Sequence, residues 1–199
     1  MPITINGSGT VTGITAGGLP DGVITTDDIA AAAVTSAKLA AGAGGKILQV
    51  ASTTKLDTFS STSNSFVDVT GLSVSITPTS SSSKILVMCH ISASGATWHG
   101  GFLMFNLLRA STNLSVGTGG SSSNATAVYN AYSNDATNTQ GNISPISIVF
   151  LDSPSSTSSL TYKIQGAITN SGYSWNVNRT TFIASHGSSS SITVMEVAA

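Results

Sequence analysis

The chain has 199 residues, 40% of them hydrophobic and only 8% charged, with a formal net charge of -1. A typical soluble domain carries about 25% charged residues, so hydroxyls and amides solvate this surface; the apolar content is too high and the net charge too low for a disordered chain. Seven Lys and Arg spread over the whole length make no basic stripe, which argues against nucleic acid and anionic membranes as partners, and the longest apolar run falls far short of the ~20 residues of a membrane helix.

Residues 1–22 are short alternating segments separated by glycines. The opening MPITINGSGT has neither a basic n-region nor an apolar h-region, so no signal peptide is expected. Ile3-Thr4-Ile5 and Thr10-Val11-Thr12 alternate with period two, as short strands do. One copy of this segment cannot bury a core, so it reads as an extended arm that orders on something else.

Residues 23–45 change character. Thr25-Thr26-Asp27-Asp28-Ile29-Ala30-Ala31 is followed ten residues later by Thr35-Ser36-Ala37-Lys38-Leu39-Ala40-Ala41. Self-similarity at a fixed period suggests a stacked or wound stalk. Thr25 or Thr26 can cap a helical turn, Asp27 and Asp28 suit its first turn, and Gly42, Gly44 and Gly45 end it. Ile29, Val34 and Leu39 make a stripe too thin for a lone helix but suited to a seam between identical chains.

Residues 46–199 hold the core. The predicted strands are Lys46–Ala51, Ser65–Val69, Leu72–Thr77, Lys84–Ser92, Gly101–Arg109, Ala125–Tyr132, Ile143–Leu151, Leu160–Ile168, Thr180–Ser185 and Ser191–Val197. They are rich in Val, Ile, Phe, Tyr and Thr, which suit a pleated surface. Leu72, Val74 and Ile76 share one face, as do Tyr162 and Ile164, and Ile192, Val194 and Glu196. Clusters of Ser, Gly, Asn and Asp separate the strands. The expected fold is therefore mainly β: an extended arm (1–22), a short helical or repeat stalk (23–45) and an antiparallel β-sandwich or jelly-roll head (46–199).

Catalytic and metal signals are weak. The stretch Gly42-Ala43-Gly44-Gly45-Lys46 lacks the earlier glycine and the following Ser or Thr of a phosphate loop. His90, His99 and His186 show no ligand spacing, and Cys89, the only cysteine, points away from His90 on a strand. Serines are abundant, but no Gly-x-Ser-x-Gly elbow is present, and the few acids of the head include Asp68 and Asp152 beside turns. No enzyme, cofactor or metal is expected. A single cysteine also fits assembly in a reducing cytosol, with oligomerisation in place of disulfides. Trp98, His99, Tyr129, Tyr132, Tyr173 and Trp175 lie among polar residues, where aromatic rings either stack on a receptor or pack in a core or interface. The loops 117–124 and 133–142 are further candidates for partner contact.

Several blocks resemble a known group of proteins. Ile3-Thr4-Ile5-Asn6-Gly7-Ser8-Gly9-Thr10-Val11-Thr12-Gly13-Ile14 and Gly18-Leu19-Pro20-Asp21-Gly22 resemble the N-terminal segment of phage tail-fibre and virion-appendage proteins, especially from marine and cyanobacterial phages. The units around Thr25–Ala31 and Thr35–Ala41 look like stalk repeats of such fibres. Ser65–Leu72, Ser82–Met88, Phe150–Pro154 and Ser191–Ala199 are similar to their C-terminal heads. The resemblance implies a homotrimer with a complement-type or tumour-necrosis-factor-like jelly-roll head. It implies attachment to other virion proteins through arm residues such as Ile3, Ile5, Val11, Ile14 and Leu19. It also implies a place on the virion (tail, baseplate or capsid surface), assembly in the bacterial host cytoplasm, and a head that meets a host surface glycan or protein. A capsid decoration or baseplate adaptor with a purely structural role is the alternative.

Overall fold

The computed structural model describes residues 46–95, 101–120, 124–130, 143–170, 172–181 and 187–199, together with Ile29 and Val34. The chain divides into two units, residues 1–44 and 45–199. In the first, Ile29 and Val34 are exposed, at 43% and 52%. The arm residues Ile3, Ile5, Val11, Ile14 and Leu19, and Leu39 of the seam, lie outside the described residues.

Eleven strands are described in the second unit: β1 (Ile47–Lys55), β2 (Phe59–Ser61), β3 (Val67–Ile76), β4 (Lys84–Gly95), β5 (Phe102–Arg109), β6 (Thr112–Leu114), β7 (Ala127–Asn130), β8 (Ser144–Asp152), β9 (Leu160–Ile168), β10 (Trp175–Val177) and β11 (Ser190–Val197). They form two antiparallel sheets, and no helix occurs among the described residues. In the first sheet the order is β1-β11-β4-β10-β2, with β8 on the other edge of β4. In the second it is β3-β9-β5-β6, with β7 also on β5. The antiparallel β-sandwich expected from strand composition is therefore present.

Alternation along the strands builds the core, because successive side chains leave a strand on opposite faces. From the first sheet, Ile85, Val87, Cys89 and Ile91 of β4 and Ile192 and Val194 of β11 point inward. From the second come Leu72, Val74 and Ile76 of β3, Leu103, Phe105 and Leu107 of β5, and Tyr162, Ile164 and Ile168 of β9. Trp175 is the largest fully buried side chain. Its ring meets Phe105 edge-on at 5.8 Å and Phe59 at 5.2 Å between centroids. Gly166 makes room for it: a Cβ there would overlap the indole, with Cζ3 only 2.9 Å away.

Two buried carboxylates tie elements together. Asp152 of β8 accepts a hydrogen bond from Arg109 Nη1 of β5 at 2.5 Å and another from the Tyr162 hydroxyl of β9 at 2.6 Å. This clasp joins the two sheets. Burial, and then the Asp152 carboxylate, push the Tyr162 phenol well above its ordinary range. Glu196, at the end of β11, accepts from Gln49 Nε2 at 2.6 Å and from the Thr79 amide and hydroxyl at 2.8 and 2.7 Å. Burial opposes its ionisation, but these bonds and one from Ser83 outweigh burial and hold the carboxyl at about 2.

Three short strands, β2, β6 and β10, escape the sequence reading. Conversely, Ser65–Val69 and Leu72–Thr77 prove to be parts of one strand. The register shifts between Asp68 and Ser73, and Gly71 takes a φ of +82°, so β3 runs on through a bulge rather than stopping at a turn. The predicted strand Thr180–Ser185 is not a strand at Thr180 and Thr181, and its remainder lies outside the described residues.

Candidate functional site

The outward faces of the two sheets differ in chemistry. On the second sheet, β3 and β9 present Ser75 beside Thr161, Ser73 beside Lys163, and Asp68 beside Gln165. Lys163 Nζ and Gln165 Nε2 both donate to Asp68, at 2.8 and 2.7 Å, and the Lys163 bond is the main reason that carboxyl sits below its usual value. Ser75 and Thr161 share a hydrogen bond of 2.8 Å. The face is polar across β3 and β9, whereas Phe102 of β5 and Val128 of β7 expose apolar side chains farther along it.

The outward face of the first sheet carries an apolar patch flanked by hydroxyls. Strand pairing aligns four rows across β1, β11, β4 and β8. One row is Val50, Met195, Leu86 and Leu151. The next is Ser52, Thr193, Met88 and Val149. Ile47, Val197 and Lys84 lie beyond the first of these; Thr54, Ser191, His90 and Ser147 lie beyond the second. Val149 is 65% exposed, Val50 57%, Leu151 48% and Met88 43%. No acid and no arginine stands on these rows; Lys84 opens β4 and His90 stands at its middle. A shallow groove of about 310 Å³ crosses the face between Met88, His90, Val149, Ser191, Thr193 and Met195. Beyond the His90 row the face is closed off, because Ser92 is buried and its hydroxyl donates to the Ser189 carbonyl at 3.0 Å.

The sequence-selected residues are distributed differently. Trp175 is a core residue with no exposed surface, and its indole Nε1 has no hydrogen-bond partner among the described residues. It therefore cannot present a ring to a receptor, which corrects the binding alternative at this position in favour of packing. Tyr129 and Tyr173 are half-buried and pack against the main core. Trp98, His99 and Tyr132 lie outside the described residues, as do 121–123 and 133–142 of the candidate loops. Gly117, Gly119, Gly120 and Asn124 are exposed.

Among the described residues, no three His, Cys, Asp or Glu side chains come together as a metal set. Cys89 points into the core, and burial raises its thiol to about 12, far from a thiolate at neutral pH.

The apolar face was not singled out from sequence, although a signal for it exists. Leu86 and Met88 on β4, Val149 and Leu151 on β8, and Met195 on β11 fall between core positions, so these strands are apolar at both parities.

No protein-family model matches the sequence, and no curated protein matches it. Among solved structures, the chain is similar to infectious bursal disease virus VP2 in its subviral particle, at 16% identity and a TM-score of 0.33, over 76% of this chain and 37% of that one. It is also similar to a structure of the Gx strain of infectious bursal disease virus, at 14% identity and a TM-score of 0.32, over 75% of this chain and 42% of that one. The chain thus spans less than half the length of either structure it matches.

Proposed function

We propose that the chain is a non-enzymatic structural subunit of a phage virion appendage, built as a short homotrimeric fibre. Residues 1–22 attach it to other virion proteins, residues 23–45 form the stalk, and the β-sandwich, wound as a jelly roll, is the distal head that meets the host cell surface. The observation that carries the assembly role is the neutral, apolar outer face of the first sheet. Val50, Leu86, Met88, Val149, Leu151 and Met195 adjoin one another there, and contiguous apolar patches commonly mark interaction sites. The exposed Ile29 and Val34 support the same reading, since a seam between chains would cover them. The phage setting and the number three come from the sequence resemblance. Host contact would fall to the polar loops, including 117–124, and would be weak per head and multiplied by three.

Immunogold labelling of intact particles with an antibody against the head tests this role. Gold on tail, baseplate or capsid surface is the expected result. A chain present in infected cells but missing from purified particles would refute it.

A further inference from the structure

We propose that Met88 and Met195 form an oxidation switch on the apolar patch of the first sheet: a peroxide converts both to sulfoxides in the free chain, and the oxidised chain assembles far less readily. The inference rests on the reading above that this patch serves assembly, and it adds the modification that regulates it.

The chain has four methionines, and the head treats its own three differently. Met104 is only 4% exposed and packs with Ala125, Ala167 and Phe66 on the second sheet. Met88 is 43% exposed and Met195 half-buried. Met88 stands opposite Thr193 and Met195 opposite Leu86, so the two are diagonal neighbours on adjacent strands, roughly 7–8 Å apart. Both line the groove that crosses the patch. A hydroperoxide entering that groove meets two thioethers. A sulfur lone pair attacks the peroxide, the O–O bond breaks, an S–O bond forms and the other oxygen leaves as water. The sulfur is oxidised and the peroxide reduced, with no further reactant. Cys89, the remaining sulfur of the head, is buried in the core and does not compete.

The product changes what the patch can do. A thioether is apolar and adapts to a neighbour, whereas a sulfoxide is polar and presents an acceptor oxygen. In the free chain that oxygen is solvated by water and by the Ser191 and Thr193 hydroxyls of the same groove. Under a covering partner water is excluded, and a polar group buried without a hydrogen bond is unfavourable. Oxidation therefore favours the uncovered chain, and by linkage the covered chain resists oxidation.

The test treats the purified full-length chain with hydrogen peroxide. Peptide mass spectrometry on dilute protein should show Met88 and Met195 oxidised on the order of 10-fold faster than Met104, following exposure. Sedimentation of the oxidised chain should show the midpoint concentration of assembly raised on the order of 10-fold or more. Met88→Leu with Met195→Leu should assemble as wild type does and should not respond to peroxide. An oligomeric wild type whose midpoint stays unchanged after both residues are fully oxidised would overturn the inference and leave the trimer reading standing. A double leucine variant that responds to peroxide as strongly as wild type would overturn it too. A wild type that stays monomeric at tens of micromolar would remove both. Should peroxide unfold the chain, Met88→Gln with Met195→Gln decides, because it makes the two positions polar without an oxidant: a raised midpoint supports the switch, and an unchanged one overturns it.

Discussion

Replacing Glu196 with alanine is expected to destabilise the head at neutral pH and to matter progressively less in acid. The carboxylate accepts from Gln49, Thr79 and Ser83, and so joins β1, the loop after β3 and the end of β11. Its folded pKa falls from the ordinary 4.5 to about 2. At about 1.4 kcal/mol per unit, the displacement corresponds to an upper limit of roughly 3.5 kcal/mol. Thr79 is exposed and Gln49 partly so, and water admitted there screens the interaction. The expected loss is therefore about 2 kcal/mol. The sign follows from the direction of the shift. A carboxyl held below its unfolded value contributes fully above about pH 4.5, and the contribution disappears as the pH falls towards 2. Urea unfolding of wild type and Glu196→Ala, followed by circular dichroism at one fixed protein concentration, should show a gap of about 2 kcal/mol at pH 7 that nearly closes by pH 2. Equal stability at pH 7, or a gap of constant size from pH 7 to pH 2, would refute the reasoning.

Gly166→Ala should cost about 2–3 kcal/mol in the same unfolding experiment, because the new methyl group enters the ring of Trp175 in a close-packed core. Asp152→Ala should cost about 2–3 kcal/mol by removing the acceptor that Arg109 and the Tyr162 hydroxyl share. It should also move the Tyr162 phenol downward in an ultraviolet titration, since one of the two causes of its raised value is removed. Cys89 should resist alkylation at pH 8 in the folded protein and react freely in denaturant, because burial keeps it a thiol.

The sandwich was legible because alternation is a direct consequence of strand geometry. Leu72, Val74 and Ile76 point inward together, as do Ile192, Val194 and Glu196. Glu196 shows that parity outranks residue type: an acid sits inward, and its hydrogen bonds make the position tolerable. Three-residue strands such as β10 were not legible, because Trp175-Asn176-Val177 is too short for a period and is placed by pairing with β4 and β2. The sequence leaves Trp175 open between a receptor contact and a core residue because its neighbours are polar. Asn176 and Asn178 are buried with it and spend their polarity internally. Ser60 donates to Asn176, and Asn178 donates to the Lys55 and Asp57 carbonyls. Polar neighbours in sequence therefore do not decide exposure. The apolar face went unnoticed for the opposite reason: Leu86, Met88, Val149 and Leu151 resemble ordinary core residues until pairing shows which side they occupy.

The proposed role requires this chain to assemble with copies of itself. Sedimentation equilibrium of the purified full-length protein at micromolar concentration tests it most directly. The expected result is a single species of three times the 20.0 kDa chain mass. A species of 20.0 kDa across the same concentrations would contradict it.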